Sequence, residues 1–300
     1  MTATAAPTST VPTNTVPTNT EALDTTDMTT ATHSPSAPSA TAKGVTLLNV
    51  MKGEWIKFRS VASTRMTLAG AFVATIAFGM IFSWTAGSDE GQPGPAALLN
   101  DPVDLAIAGT GLTEMIIGVL GVILVAGEYS TGLIRTTLAA VGGRTRLLLA
   151  KSAVIGGVTA ASMSVAVFLA VALGGTVYAG DATFPSVFDS DVLQVIGGAT
   201  VYLTGIALIA MSLAFLTRST AAAVGSLIGG VFIGPNLLNL LPESFTDNVL
   251  KFLPSEAGAA IMTRVSDPDL LSTGSAYAVF IAWVVAFMVA AGVVLQRRDA

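Results

Sequence analysis

Few side chains in this sequence could do chemistry, and what is missing bounds the function first. There is no cysteine, so no thiol nucleophile, disulfide or iron–sulfur ligand set is possible. The single histidine, His33, lies in a polar, Thr/Pro-rich stretch. That removes a Ser-His-Asp triad from the apolar part and any multi-histidine metal site. The GxxxxGK[ST] phosphate loop is absent, because no Gly-Lys dipeptide occurs and Lys151-Ser152 follows Ala150. Glu114 is the only acid well inside an expected membrane span. It precedes Glu128 by fourteen residues, which on a helix is about 21 Å along a hydrocarbon core about 30 Å thick. An acid at that depth faces other helices or water. It lines a substrate path or pairs with a cationic substrate, or else it is neutral or hydrogen-bonded to Thr110 or Thr113.

The densest polar pattern runs from Gly127 to Lys151, between two apolar runs. It carries Glu128, Arg135, Arg144, Arg146 and Lys151. Ser130 and Thr131 suit a helix start, and Gly142 and Gly143 suit a helix stop. The basic residues mark re-entry into lipid from the cytoplasmic side. The stretch reads as a short cytosolic helix between two spans, placed for another protein to push on.

The elements around these residues follow from composition. The chain is 52% hydrophobic and 11% charged over 300 residues, against about 25% charged in a soluble domain. Six runs reach the roughly 20 residues that cross a bilayer: Met66–Trp84, Leu105–Ala126, Ser152–Gly175, Val192–Leu216, Ala221–Leu241 and Ser275–Leu295. No run alternates as a barrel strand does. The expected fold is therefore an all-α membrane protein of six transmembrane helices in the cell membrane. Twelve of the fourteen basic residues fall on one side of these spans, and only Lys251 and Arg264 fall on the other, among many acids. The positive-inside rule then puts both termini in the cytoplasm.

Residues 1–44 are rich in Thr, Pro, Ser and Ala, with Val-Pro-Thr-Asn-Thr repeated at 11–15 and 16–20. They cannot bury a core and are expected to form a disordered tail before the domain at 45–300. The tail lacks the basic and apolar regions of a cleavable signal peptide. From Val45 to Ala62, Leu48, Met51, Trp55, Phe58 and Ala62 share one helical face, with Lys52, Glu54, Lys57 and Arg59 mostly elsewhere. This suits a helix lying in the inner interface. The fourth and fifth spans form a tight hairpin through Thr217–Thr220. Gly225 and Gly229, and Gly230 and Gly234, are GxxxG pairs that let helices approach closely, within the subunit or at a subunit interface. Gly234-Pro235-Asn236 is expected to break or kink that helix. The loop from Pro242 to Gly274 is half apolar and is expected to hold two short helices dipping into the outer leaflet.

These residues resemble the permease subunits of ABC-2 type ATP-binding-cassette exporters, in a form common among high-GC Gram-positive bacteria. The resemblance covers about Met51 to Ala300. It rests on Gly53-Glu54-Trp55-Ile56-Lys57-Phe58-Arg59-Ser60, on Glu128-Tyr129-Ser130-Thr131-Gly132-Leu133-Ile134-Arg135-Thr136-Thr137-Leu138, on Arg218-Ser219-Thr220-Ala221, on Leu253-Pro254-Ser255 and on Arg297-Arg298-Asp299-Ala300. Val141-Gly142-Gly143-Arg144 departs from the proline and adjacent basic residues frequent in the family. The resemblance implies a connecting helix bearing Glu54, Trp55, Lys57 and Arg59. It implies a coupling helix for the ATPase within Glu128 to Leu138, with Glu128, Tyr129, Ser130, Thr131, Arg135 and Thr136 as coupling residues. It also implies external re-entrant helices after the fifth span, and second and fifth spans lining the central path, with Glu114, Gly225, Gly229, Gly234, Pro235 and Asn236 there or at helix interfaces.

The implied partners are two copies of a cytosolic ATPase, a second permease copy or a related permease, and membrane lipid. ATP and Mg would bind the ATPase, leaving this chain without a cofactor, a metal or an enzyme activity of its own; no nucleic acid is expected. The expected function is alternating-access export of a hydrophobic or amphipathic substrate such as a drug, lipid or peptide antibiotic. Two other classes compete. A secondary transporter would want several intramembrane ionisable residues and usually an internal repeat. A non-transporting immunity or sensor protein would act alone without moving solute.

Overall fold

The computed structural model describes residues 46–86, 101–238, 240, 249–264 and 270–297. The expected disordered tail, the acids Asp89 and Glu90, the loop residues 241–248 and 265–269, the Asn236 side chain and the closing 298–300 lie outside the described residues. Every regular element among those described is helical. In chain order they are α1 (Leu47–Ser60), α2 (Ala62–Thr85), α3 (Pro102–Ile107), α4 (Thr110–Ser130), α5 (Leu133–Val141), α6 (Arg144–Val177), α7 (Ser190–Thr217), α8 (Thr220–Leu227), a π-helical segment (Ile228–Ile233) and α9 (Gly234–Leu238). A 3-10 turn (Leu250–Phe252), α10 (Pro254–Met262) and α11 (Thr273–Arg297) follow.

Among the described residues, five stretches are long and apolar enough to cross a membrane: Ala62–Thr85, Pro102–Ser130, Arg144–Val177, Ser190–Thr217 and Thr273–Arg297. They run beyond the apolar runs that announced them. At 34 residues, α6 is about 51 Å long, well over a hydrocarbon core of about 30 Å. Its first turns, Arg144 to Lys151, therefore extend the span as helix instead of forming a loop. The fifth expected span, Ala221–Leu241, is not one α-helix. Pro235 has no N–H, and its ring crowds the carbonyl four residues back, at Val231. The ladder lengthens by one residue instead: the Gly234 N–H bonds the Gly229 carbonyl, a five-residue step that makes Ile228–Ile233 π-helical.

The core lies around α7, of whose apolar stretch 67% is buried, against 17% for α11 and 22% for α2. α4 and α6 flank α7, α2 packs on α4 and α6, and α11 and α10 close the far side of α7. The α4–α7 contact is close because α4 offers a glycine there. A Cβ on Gly121 would collide with the Ala207 carbonyl oxygen and approach the Ala210 methyl to 3.1 Å. By contrast, a Cβ on Gly225, Gly229 or Gly230 would meet nothing among the described residues. The GxxxG pairs of the fifth run thus do not serve packing among the described residues.

At one end of the bundle gather α1, α5, the start of α6, the α7–α8 turn and the end of α11. There Arg144 Nη1 donates to the Leu295 and Gln296 carbonyls, both at 2.9 Å. At the other end, Arg264 joins Asp101 before α3 to Asp191 on α7. The outer-loop expectation of two short helices becomes the 3-10 turn and α10 within the described residues. α10 packs against α7 and α11, and Trp283 Nε1 of α11 donates to the Phe252 carbonyl at 2.8 Å.

Candidate functional site

Four charged side chains from three helices meet at the basic end. α1 supplies Glu54 and Lys57, one turn apart on the same face. α4 supplies Glu128 in its last turn, where the carbonyl end of the helix dipole disfavours a carboxylate. α6 supplies Lys151. Lys151 Nζ lies 2.7 Å from Glu54 Oε2 and 2.8 Å from Glu128 Oε1. Lys57 Nζ lies 2.8 Å from Glu54 Oε1 and 3.1 Å from Glu128 Oε1. Lys57 also donates to Thr137 Oγ1 on α5 at 3.3 Å. Lys151, Glu54 and Glu128 are only 2%, 6% and 8% exposed.

Two acids and two bases cancel, which is what makes their burial tolerable. Burial pushes the Glu54 carboxyl up, but the charge and hydrogen bond of Lys151, then those of Lys57, outweigh it and hold Glu54 below its ordinary value. Burial pulls Lys57 down, and the Glu54 hydrogen bond and the Glu128 charge more than reverse this. A buried quartet of this kind contributes little net stability compared with apolar packing. Breaking it by removing one partner is costly. It fixes α1, α4 and α6 in one relative position, and α5 is tied to them through Thr137.

α5 is a nine-residue helix set between two left-handed glycines, Gly132 (φ 71) and Gly142 (φ 64). Such φ values favour glycine. Ile134 and Val141 are buried, while Leu133, Arg135, Thr136, Ala139 and Ala140 are exposed. Gly142 stops the helix as expected, its N–H bonding the Leu138 carbonyl. The start differs from expectation. Ser130 and Thr131 do not cap α5; both hydroxyls donate back to the Gly127 carbonyl at 2.9 Å and close the end of α4. The cap position is Gly132, because α4 outruns the apolar run and absorbs both residues.

The expected site residues therefore part company. Glu128 is buried in the quartet. Tyr129 is half-buried, its ring edge-on to Phe215 at 6.3 Å and under the Arg218 guanidinium at 5.5 Å. Ser130, Thr131, Arg135 and Thr136 are exposed. On α1, Val50, Glu54 and Phe58 are buried, so of the expected apolar stripe Phe58 shares its face with Glu54. Leu48 and Trp55 are exposed, and Arg59 lies over the Trp55 ring at 6.0 Å. The pairing of Glu54 with Lys151 turns a charged residue inward, while Leu48 and Trp55 lie on the outer face, the one an interfacial helix lays against lipid.

Glu114 is buried and accepts a hydrogen bond from the Tyr202 hydroxyl of α7, not from Thr110 or Thr113. Thr113 instead meets Thr75 of α2 at 2.8 Å. On α9, Pro235 is buried. Sequence reasoning did not single out Lys151 as a site residue, nor Tyr202, Asp101, Asp191 or Arg264. Lys151 had a signal: it is a lone cation at the threshold of an apolar run. Tyr202 had none, since a tyrosine in a span carries no marker of its partner. Compared with models of known protein families and with curated protein sequences, the chain matches none.

Proposed function

We propose that this chain is the six-span membrane subunit of an ATP-driven exporter of the ABC-2 type, with both termini in the cytoplasm. The observation that carries the reading is α5. It is a short helix with an exposed polar and small-residue face, clamped between α4 and α6, whose root is tied by Thr137 and Lys57 to α1 and the buried quartet. Such a helix transmits a push to three long elements at once, because packed elements switch between discrete arrangements and do not deform smoothly. The motor is a separate cytosolic ATPase, which binds ATP and Mg and docks on the Arg135–Thr136 face. The Ile228–Ile233 segment with its neighbours supplies the fifth of the six crossings. The open positions of Gly225 on α8 and of Gly229 and Gly230 in the π-helical segment support contact with a second permease copy. The cargo is hydrophobic or amphipathic, since the span surfaces carry few charges.

The test is purification of the tagged chain from its native membranes, followed by assay of the copurifying ATPase and of export. A stoichiometric ATPase is expected. Arg135→Ala is the cleaner coupling variant, because Arg135 is exposed whereas Glu128 is buried in the quartet. It is expected to leave insertion and folding intact while lowering both ATPase association and export. Full export by the purified chain in proton-loaded vesicles, with no ATPase present, would overturn the reading.

A further inference from the structure

Beside the quartet is a cavity of about 410 Å³, large enough for a sizeable ligand group. Its walls are mostly apolar, with Phe58, Leu124 and Ile155 among them, and all four members of the quartet also line it. Among the described residues, Glu128 Oε1 accepts from both lysines, whereas Glu128 Oε2 is buried and accepts from none. Lys151 Nζ has three protons and donates two. Two residues that line one apolar cavity thus carry an orphaned acceptor and an unspent donor, and leaving such groups unmatched is costly.

We infer that this cavity binds the hydroxyl head of a neutral amphiphile, with the Glu128 carboxylate as acceptor and Phe58, Leu124 and Ile155 against its apolar chain. Charge selects the head. The quartet is already neutral, so an ammonium would add an uncompensated charge beside Lys57 and Lys151. An anionic head would face the Glu128 lone pairs. A hydroxyl both donates and accepts, and it leaves the net charge at zero. This site is independent of the transport reading, for it rests only on the cavity and the quartet.

The full chain in lipid nanodiscs tests it. One probe is a diazirine-bearing monoacylglycerol placed in the bilayer. A second carries the same head on a short, water-soluble chain. A third is a diazirine-bearing alkylammonium. Labelled peptides are mapped by mass spectrometry. Gly127→Leu fills the cavity, since Gly127 lines it and a Cβ there meets no atom. Gly157→Leu is the control, because it enters the neighbouring groove beside Leu48 and Trp55 and also meets nothing.

Saturable hydroxyl-probe labelling of the α1, α4 and α6 peptides is expected, lost in Gly127→Leu and kept in Gly157→Leu. Labelling from the bilayer supports the site and assigns a lipid ligand; labelling from water supports it and assigns a soluble one. Competition by unlabelled monoacylglycerol on the unaltered chain decides the matter should Gly127→Leu fail to fold. Labelling that does not saturate, that survives Gly127→Leu, or that the ammonium probe matches overturns the proposal.

Discussion

Lys151 is the side chain on which the basic end depends most. It is 2% exposed and is held by two carboxylates. Lys151→Met keeps most of its volume but leaves Glu54 and Glu128 facing each other with only Lys57 between them. Removing one partner of a buried pair costs about 3–5 kcal/mol. We expect that loss in the thermal melting of the detergent-solubilised chain, and a smaller loss in Lys151→Met/Glu54→Gln, where the uncompensated charge is gone. Equal melting of Lys151→Met and the unaltered chain would mean that the quartet does not hold the helices together.

The quartet depends on pH at both extremes. Glu54 is held below its ordinary 4.5. Its contribution is therefore whole above 4.5 and is lost as pH falls through the lowered value. Lys57 is held above its ordinary 10.5, so its contribution is whole below 10.5 and is lost as pH rises further. With Glu128 and Lys151 facing both, the quartet's share of melting stability is expected to be level between these limits. Glu54→Gln is expected to flatten the acid limb.

The elements differ in how far they announce themselves. Pro235 sets the π-helical segment, so Pro235→Ala restores an N–H that reaches the Val231 carbonyl. Proline in a helix interior costs about 3 kcal/mol relative to alanine. Slower hydrogen exchange across Ile228–Ile233 is the expected outcome, and unchanged exchange would place the cause elsewhere. Gly121→Ala must part α4 from the Ala207 carbonyl, a change that costs about 1–3 kcal/mol in a packed core. Gly225→Ala meets nothing among the described residues and is expected to leave monomer melting unchanged. Helical character, the five long spans, the Gly142 stop and a departure from α-helix next to Gly234-Pro235 were legible, because hydrophobic run length and backbone chemistry are local properties. The inward turn of Glu54, the Glu114–Tyr202 pair and the Arg264 bridge were not, because each depends on a partner more than seventy residues away. GxxxG spacing pointed to the fifth run, while the close approach used Gly121; spacing shows where a helix could be approached but not which neighbour arrives.

The whole molecule sorts its charges by end. Arg135, Arg144, Arg146 and Arg218 share the end with α5, while Asp101, Asp191 and Arg264 hold the other together. A short loop rich in arginine is retained on the cytoplasmic side during insertion, so the α5 end should face the cytoplasm, where a motor could reach it. The chain contains no cysteine, so single cysteines can be read without altering the background. Thr136→Cys places a thiol on the exposed face of α5. Ala182→Cys places one in the exposed α6–α7 connection at the opposite end. A membrane-impermeant maleimide added to intact cells is expected to label Ala182→Cys and spare Thr136→Cys, and inverted vesicles are expected to reverse the pattern. Labelling of Thr136→Cys in intact cells would put α5 outside, where no cytosolic ATPase could push it, and the export reading would fall with the orientation.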